Sequence, residues 1–147
     1  MARLNSPEEL RKFRQTILSK RDPDNPCISI CAGAGCVASG ADEVIAAFKA
    51  EIENQGLQAD VDTKGTGCPG FCERGPVVVI YPEEICYLQV KPEDVGEIVE
   101  QTIKENKVIE RLLYEDPATG EKEVKESDIS FYKNQQRTVL CNNIRID

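Results

Sequence analysis

Cys27-Ile28-Ser29-Ile30-Cys31-Ala32-Gly33-Ala34-Gly35-Cys36 is the stretch on which the fold turns. Its first five residues are short and partly β-branched, the signature of a strand. They run straight into a loop where Gly33 and Gly35 permit backbone angles closed to other residues. Ala41 to Asn54 then carries Val44, Ile45, Phe48 and Ile52 at helical spacing and stops before Gly56, a natural terminator. Strand, loop and helix therefore follow one another, and Leu57 to Thr63 alternates as a second strand.

Further along, Lys64 to Gly75 holds four glycines and a proline, too irregular for a helix or a central strand, so it is expected to be a long ordered loop. Val77-Val78-Val79-Ile80-Tyr81 is an apolar β-branched run that Pro82-Glu83-Glu84 turns into Ile85-Cys86-Tyr87-Leu88-Gln89-Val90, an expected antiparallel hairpin. Pro92-Glu93-Asp94 opens a last helix with proline and acids at its positive end, and Val95, Ile98, Val99 and Ile103 form its apolar face. The order β-α-β, long loop, β-β-α is that of an α/β thioredoxin-like domain.

Two additions flank it. Ser6-Pro7-Glu8-Glu9 combines a capping serine, proline at the first helical position and glutamate three residues on, which predicts a helix over about Pro7 to Ser19. Leu10, Phe13 and Ile17 share one face of it, and the prolines of Arg21-Asp22-Pro23-Asp24-Asn25-Pro26 break the chain before the first strand. From Glu115 to Asp147 the chain turns polar, and its few apolar residues predict a tail outside the core. Three segments result: residues 1–26 as helix and linker, 27–114 as the domain, and 115–147 as a tail.

Composition narrows the chemistry. A net charge of −8, from 26 acidic and 18 basic residues, disfavours nucleic acid and anionic membrane surfaces as partners. The lack of a long apolar stretch argues against membrane insertion and export, so a cytoplasmic protein is expected. The chain has no histidine, which removes mixed cysteine-histidine zinc sites, Rieske centres and any imidazole base. Seven cysteines, an odd number, point to metal or redox chemistry before a disulfide framework.

Four of the seven form two pairs, Cys31 with Cys36 in one glycine-rich loop and Cys68 with Cys72 in the other. Four thiolates can hold a [2Fe-2S] cluster, whose negative charge needs nearby N–H donors, and Gly33, Gly35, Gly65, Gly67 and Gly70 free the backbone to supply them. The same spacings suit a closed four-cysteine zinc site, so a zinc-stabilised interaction module stays open at this point. Arg74 stands two residues past Cys72 and could ease reduction or could be an ordinary surface arginine. Cys27, in phase with Cys31 on its strand, could substitute as a ligand but, like Cys86, better fits a small buried hydrophobe, and Cys141 takes no role.

The motifs Cys31-Ala32-Gly33-Ala34-Gly35-Cys36, Thr66-Gly67-Cys68-Pro69-Gly70-Phe71-Cys72-Glu73-Arg74-Gly75-Pro76 and Val79-Ile80-Tyr81-Pro82-Glu83 resemble the thioredoxin-like [2Fe-2S] ferredoxin domain. They are more closely similar to its copy at the amino end of the flavoprotein subunit of NAD(P)-linked hydrogenases and formate dehydrogenases, which is related to the NADH-binding subunit of complex I. The resemblance spans about Ile28 to Leu113, and Asp128-Ile129-Ser130-Phe131-Tyr132 onward resembles the lead-in to that subunit's flavin domain.

The resemblance implies a [2Fe-2S] cluster on Cys31, Cys36, Cys68 and Cys72 and single-electron transfer to other redox partners, a flavin domain and iron-sulfur subunits. NAD(P)H chemistry is implied for the parent oxidoreductase, while the isolated chain is expected to be an electron carrier without catalysis. A free-standing ferredoxin is the alternative. A homodimer also remains open, since the hairpin's outer strand would offer an edge if uncovered.

Overall fold

A computed structural model describes residues 4–19, 25–57, 62–139, 141 and 143–144. Residues 21–24 of the expected linker and 58–61 of the expected second strand lie outside the described residues. Four strands make one sheet: β1 (Cys27–Cys31), β2 (Asp62–Thr66), β3 (Val78–Tyr81) and β4 (Ile85–Tyr87), in the order β2-β1-β3-β4. β1 pairs parallel with β2 and antiparallel with β3, and β3 pairs antiparallel with β4, as the hairpin reading required.

Between β1 and β2 the chain crosses over through α2 (Ala34–Ala38) and α3 (Ala41–Asn54). A parallel pair demands such a crossover, because a tight turn can only reverse direction. The last helix begins as a 3-10 turn at Pro92–Asp94, passes through α4 (Val95–Glu97) and continues as a π-helix over Ile98–Lys104. The chain is thus an α/β domain with the thioredoxin-like order of elements.

Three boundaries differ from expectation. Cys36 lies on the short helix α2, which the glycines around it had concealed. β2 runs on through Lys64 and Gly65 to Thr66, because its parallel register with β1 sets Ile30 against Gly65 and Cys31 against Thr66. Tertiary pairing overrides the low strand propensity of glycine there. β4 closes at Tyr87, where Leu88 leaves β3 and donates its N–H to the Leu112 carbonyl at 2.9 Å.

The sheet's two faces carry two different cores, separated by the two-residue period of the strands. Ile28 and Ile30, Val78 and Ile80, and Ile85 and Tyr87 point to one face, where Val44, Phe48 and Ile52 of α3 meet Val95, Ile98 and Val99 of the last helix. The alternate positions, Cys31, Val79, Cys86 and Leu88, point to the other.

The tail covers that second face, contrary to the expectation that Glu115 to Asp147 stays outside the core. After the small hairpin β5 (Tyr114–Glu115) and β6 (Lys122–Glu123), α5 (Ser130–Lys133) brings Tyr132 down beside Ile129 and Ile144. All three are buried with Cys31, Cys36, Val79 and Cys86. Polar composition misled because a cover needs only a few apolar anchors once a second sheet face must be closed.

The same segment covers the outer edge of β4. Cys86 donates to the Val124 carbonyl at 2.8 Å, Glu126 donates to Glu84 at 3.3 Å, and Lys125 bridges to Ile85. The edge considered for a homodimer is therefore occupied by the chain's own tail.

At the opposite end, α1 (Pro7–Leu18) forms as its cap predicts: the Ser6 hydroxyl accepts from the Glu9 N–H at 3.2 Å, and the Glu9 carboxylate accepts from the Asn5 N–H at 2.7 Å. Its apolar face is not buried, and Leu10, Phe13 and Ile17 remain exposed. Among the described residues no helix is long and apolar enough to cross a membrane.

Candidate metal centre

Two sequence-distant loops meet at one end of the sheet. β1 delivers Cys31 at its last residue, and the first turn beyond it folds into α2, which carries Cys36. β2, paired beside β1, delivers the chain to Cys68 just past its end, and Cys72 opens a 3-10 turn over Cys72–Arg74. The parallel pairing of Cys31 with Thr66 thus brings the two cysteine loops side by side.

The four expected thiols are gathered there. The Cys68 and Cys72 sulfurs lie 3.4 Å apart. Cys31 shares a hydrogen bond with Cys36 and feels Cys68, and Cys72 feels both Cys68 and Cys36. Burial, then the Cys36 contact, push the Cys31 thiol well above its ordinary pKa; the Cys68 contact chiefly raises that of exposed Cys72. Four thiols this close resist ionising together, so a cation is needed to stabilise them as thiolates.

Glycines shape the space around these sulfurs. A Cβ on Gly75 would lie 2.6 Å from the Cys36 sulfur, one on Gly33 2.7 Å from the Cys68 Cβ, and one on Gly35 3.2 Å from the Cys72 Cβ. Any side chain at the first two would have to displace a thiol. Gly70, at φ +96°, turns its N–H toward the Cys68 sulfur at 3.3 Å, and Gly33 offers its N–H to Cys31. The expected amide donors to sulfur are present in both loops.

Among the described residues, no three Cys, Asp or Glu side chains are arranged to hold a single metal ion. A mononuclear zinc site takes four thiolates on one ion, and a two-iron cluster spreads four ligands over two irons and accepts N–H donors at sulfur. Four thiols, a glycine cradle and N–H donors aimed at sulfur fit the [2Fe-2S] cluster.

The other cysteines lie outside the two loops. Cys86 is fully buried on the tail-covered face, where desolvation drives its pKa strongly upward, and Cys141 is exposed. Cys27 is half-buried at the far end of β1. Arg74 shares the 3-10 turn with Cys72 and has Glu73 as its neighbour.

Beyond the thiols, the structure adds residues that local sequence patterns did not single out. Asn143 donates its side-chain N–H to the Cys68 carbonyl at 3.0 Å, and the Ser29 hydroxyl donates to the Ile144 carbonyl. Phe71, next to Cys72, stacks on Phe131 with ring centroids 4.5 Å apart and packs edge-on against Tyr132 at 5.7 Å. A long-range contact of this kind has no local signal, although the unbroken apolar run Val77 to Ile80 indicates a strand buried on both faces.

A glycine-cradled set of cysteine thiols at the carboxyl ends of two parallel strands is a candidate thiolate centre on a thioredoxin-like sheet. The model of the thioredoxin-like [2Fe-2S] ferredoxin family matches residues 12–103, more than half of the chain, and the chain belongs to that family. It is 39% identical to a 2Fe-2S ferredoxin of Clostridium pasteurianum over 77 residues, which are 52% of this chain and 76% of the relative. With a 2Fe-2S ferredoxin of Aquifex aeolicus the identity is 46% over 80 residues, 53% of this chain and 71% of that one. The solved structure of a thioredoxin-like [2Fe-2S] ferredoxin from Aquifex aeolicus superimposes with a TM-score of 0.57 at 37% identity, covering 60% of this chain and 88% of that one. The chain is therefore an electron carrier of the [2Fe-2S] type.

Proposed function

We propose that Cys31, Cys36, Cys68 and Cys72 are the cluster's ligands, and that the chain relays electrons within a flavin-dependent, NAD(P)-linked multi-subunit oxidoreductase such as a hydrogenase. The observation that carries the ligand set is the cradle: two glycine loops meet around these four thiols, while Cys86 sits on β4 and Cys141 in the tail, outside both loops. When bound, the cluster would supply one-electron chemistry. The chain's own residues hold it, direct N–H groups at sulfur and leave Cys72 exposed at the surface where a partner approaches.

The assembly reading draws support from α1, whose apolar stripe needs a partner to cover it, and from the resemblance of residues 128–147 to the lead-in of a flavin domain. In this reading residues 115–147 lead toward that domain and the cytoplasm is the compartment, where thiols stay reduced until they meet iron. A free-standing ferredoxin is the second reading, favoured by relatives that are ferredoxins and of which the chain covers about three quarters.

Anaerobic purification with iron and sulfide counts, an absorption spectrum and an electron paramagnetic resonance spectrum after dithionite test the ligand set. Serine at Cys31, Cys36, Cys68 or Cys72 is expected to abolish or alter the spectrum, and serine at Cys27, Cys86 or Cys141 to leave it. An unaltered spectrum in Cys31→Ser together with loss in Cys27→Ser would overturn the assignment. Recovery of the tagged native protein with stoichiometric flavoprotein and iron-sulfur subunits supports the assembly, and recovery as a monomer in full activity supports the free ferredoxin.

A further inference from the structure

We propose that Asn143 is a positioning residue for the cluster: the tail reaches back across the domain to hold the Cys68 loop in place for its metal. The proposal rests on the ligand reading above. Asn143 stands 40 residues past residue 103, where the family match ends, so this support is an addition outside the matched segment.

Cys68 lies two residues past the end of β2, where strand pairing no longer fixes the backbone. Asn143 takes over there. Its Nδ2 donates to the Cys68 carbonyl at 3.0 Å, and its own atoms press on the preceding residue so closely that a Cβ at Gly67 would lie 3.2 Å from the Asn143 carbonyl oxygen. Gly67 is small so that the tail can approach. The neighbouring Ile144 anchors this contact from the other side, buried at 3% exposure in the core that contains Cys31 and Cys36, with its carbonyl held by Ser29 of β1.

The tail therefore has two ties with different consequences. Ser29 to Ile144 joins the tail to the sheet, and Asn143 to Cys68 joins it to the thiol loop. Ligands held by outer hydrogen bonds keep their metal longer, and loss of such a partner typically costs about 10- to 100-fold in affinity. The second tie is the one expected to govern cluster retention.

Asn143→Asp has almost the same shape and no N–H to donate, while Asn143→Ala removes the side chain beyond Cβ. Ser29→Ala breaks the other tie. Iron release to a chelator is followed by loss of visible absorption, at one temperature well below the melting point of every variant, beside melting of the metal-free proteins. Both Asn143 variants are expected to release iron about 10- to 100-fold faster than the parent, and Ser29→Ala, which loosens the tail but leaves the Asn143 amide in place, to accelerate release less than either whatever its fall in melting temperature. Asn143→Asp is also expected to lower the midpoint potential, because it sets a negative charge beside the cluster.

Parent-like release from Asn143→Asp would overturn the proposal. So would acceleration shared equally by Ser29→Ala, which would make the tail a general anchor. Cys68→Ser is measured alongside: full iron and sulfide with an unchanged spectrum there would refute the ligand reading itself, a result separable from the Asn143 outcome.

Discussion

α1 and the segment that follows Asp128 differ in what their apolar residues touch. In α1, Leu10 is 56% exposed, Phe13 53% and Ile17 39%, although they fall on one face of a well-capped helix. In the later segment Ile129, Tyr132 and Ile144 are spread over sixteen mostly polar residues, and none exceeds 6% exposure. Periodicity describes how a helix could be buried; burial itself requires an acceptor. The outer face of the β1-β3-β4 sheet is such an acceptor for the tail, and among the described residues nothing plays that part for α1.

Removal of each segment is the most severe way to break this contrast. Truncation after Tyr114 uncovers Cys31, Val79, Cys86 and Leu88 and discards three buried side chains worth about 1.5–3 kcal/mol each, against a whole-domain stability of about 5–15 kcal/mol. Loss of cooperative melting and of bound iron is expected, whereas a chain starting after Ser19 should melt within a few degrees of the parent. Equal melting of the two truncated proteins would refute the contrast.

A point substitution sharpens it. Ile129→Ala, at a fully buried site, should cost about 2–5 kcal/mol in denaturant unfolding. A value near zero would mean that the tail does not pack as described.

Alkaline pH probes the tail-covered face from within. Burial raises the Cys86 pKa above its ordinary 9.0, so above pH 9 the unfolded chain releases a proton that the folded chain keeps. Stability is then full below pH 9 and falls above it, by up to about 1.4 kcal/mol per pH unit for one thiol. In metal-free protein Cys86→Ala should lessen the slope measured by urea unfolding between pH 9 and 10, leaving the part that Cys31 and Cys72 contribute, and an unchanged slope would place Cys86 in contact with solvent.

Phe13→Ala on α1 should register least, within about 0.5 kcal/mol in the chain alone. A larger loss would show that α1 packs on the domain in solution.

Much of the candidate centre is legible in the order of residues along the chain. Cysteine spacing and the glycines of the two loops mark Cys31, Cys36, Cys68 and Cys72, because a sulfur-ligated cluster needs donors and room that few other residue types provide. The helix cap at Ser6, the helix-opening Pro92 and the turn at Pro82 are equally plain, since each depends on neighbours within four residues.

Long-range geometry settles the rest. Whether Lys64 and Gly65 are loop or strand depends on pairing with β1, and whether Cys86 is buried depends on a segment that returns from more than forty residues away. Asn143 finds its place beside Cys68 only in the folded sheet, for its contact spans 75 residues and leaves no periodic or spacing signal. Which atoms can bind a cluster and where the chain turns are matters of local stereochemistry, and the sequence alone carries them. Which apolar faces find a partner is a tertiary matter, because burial is a property of two surfaces and a one-dimensional pattern describes only one of them.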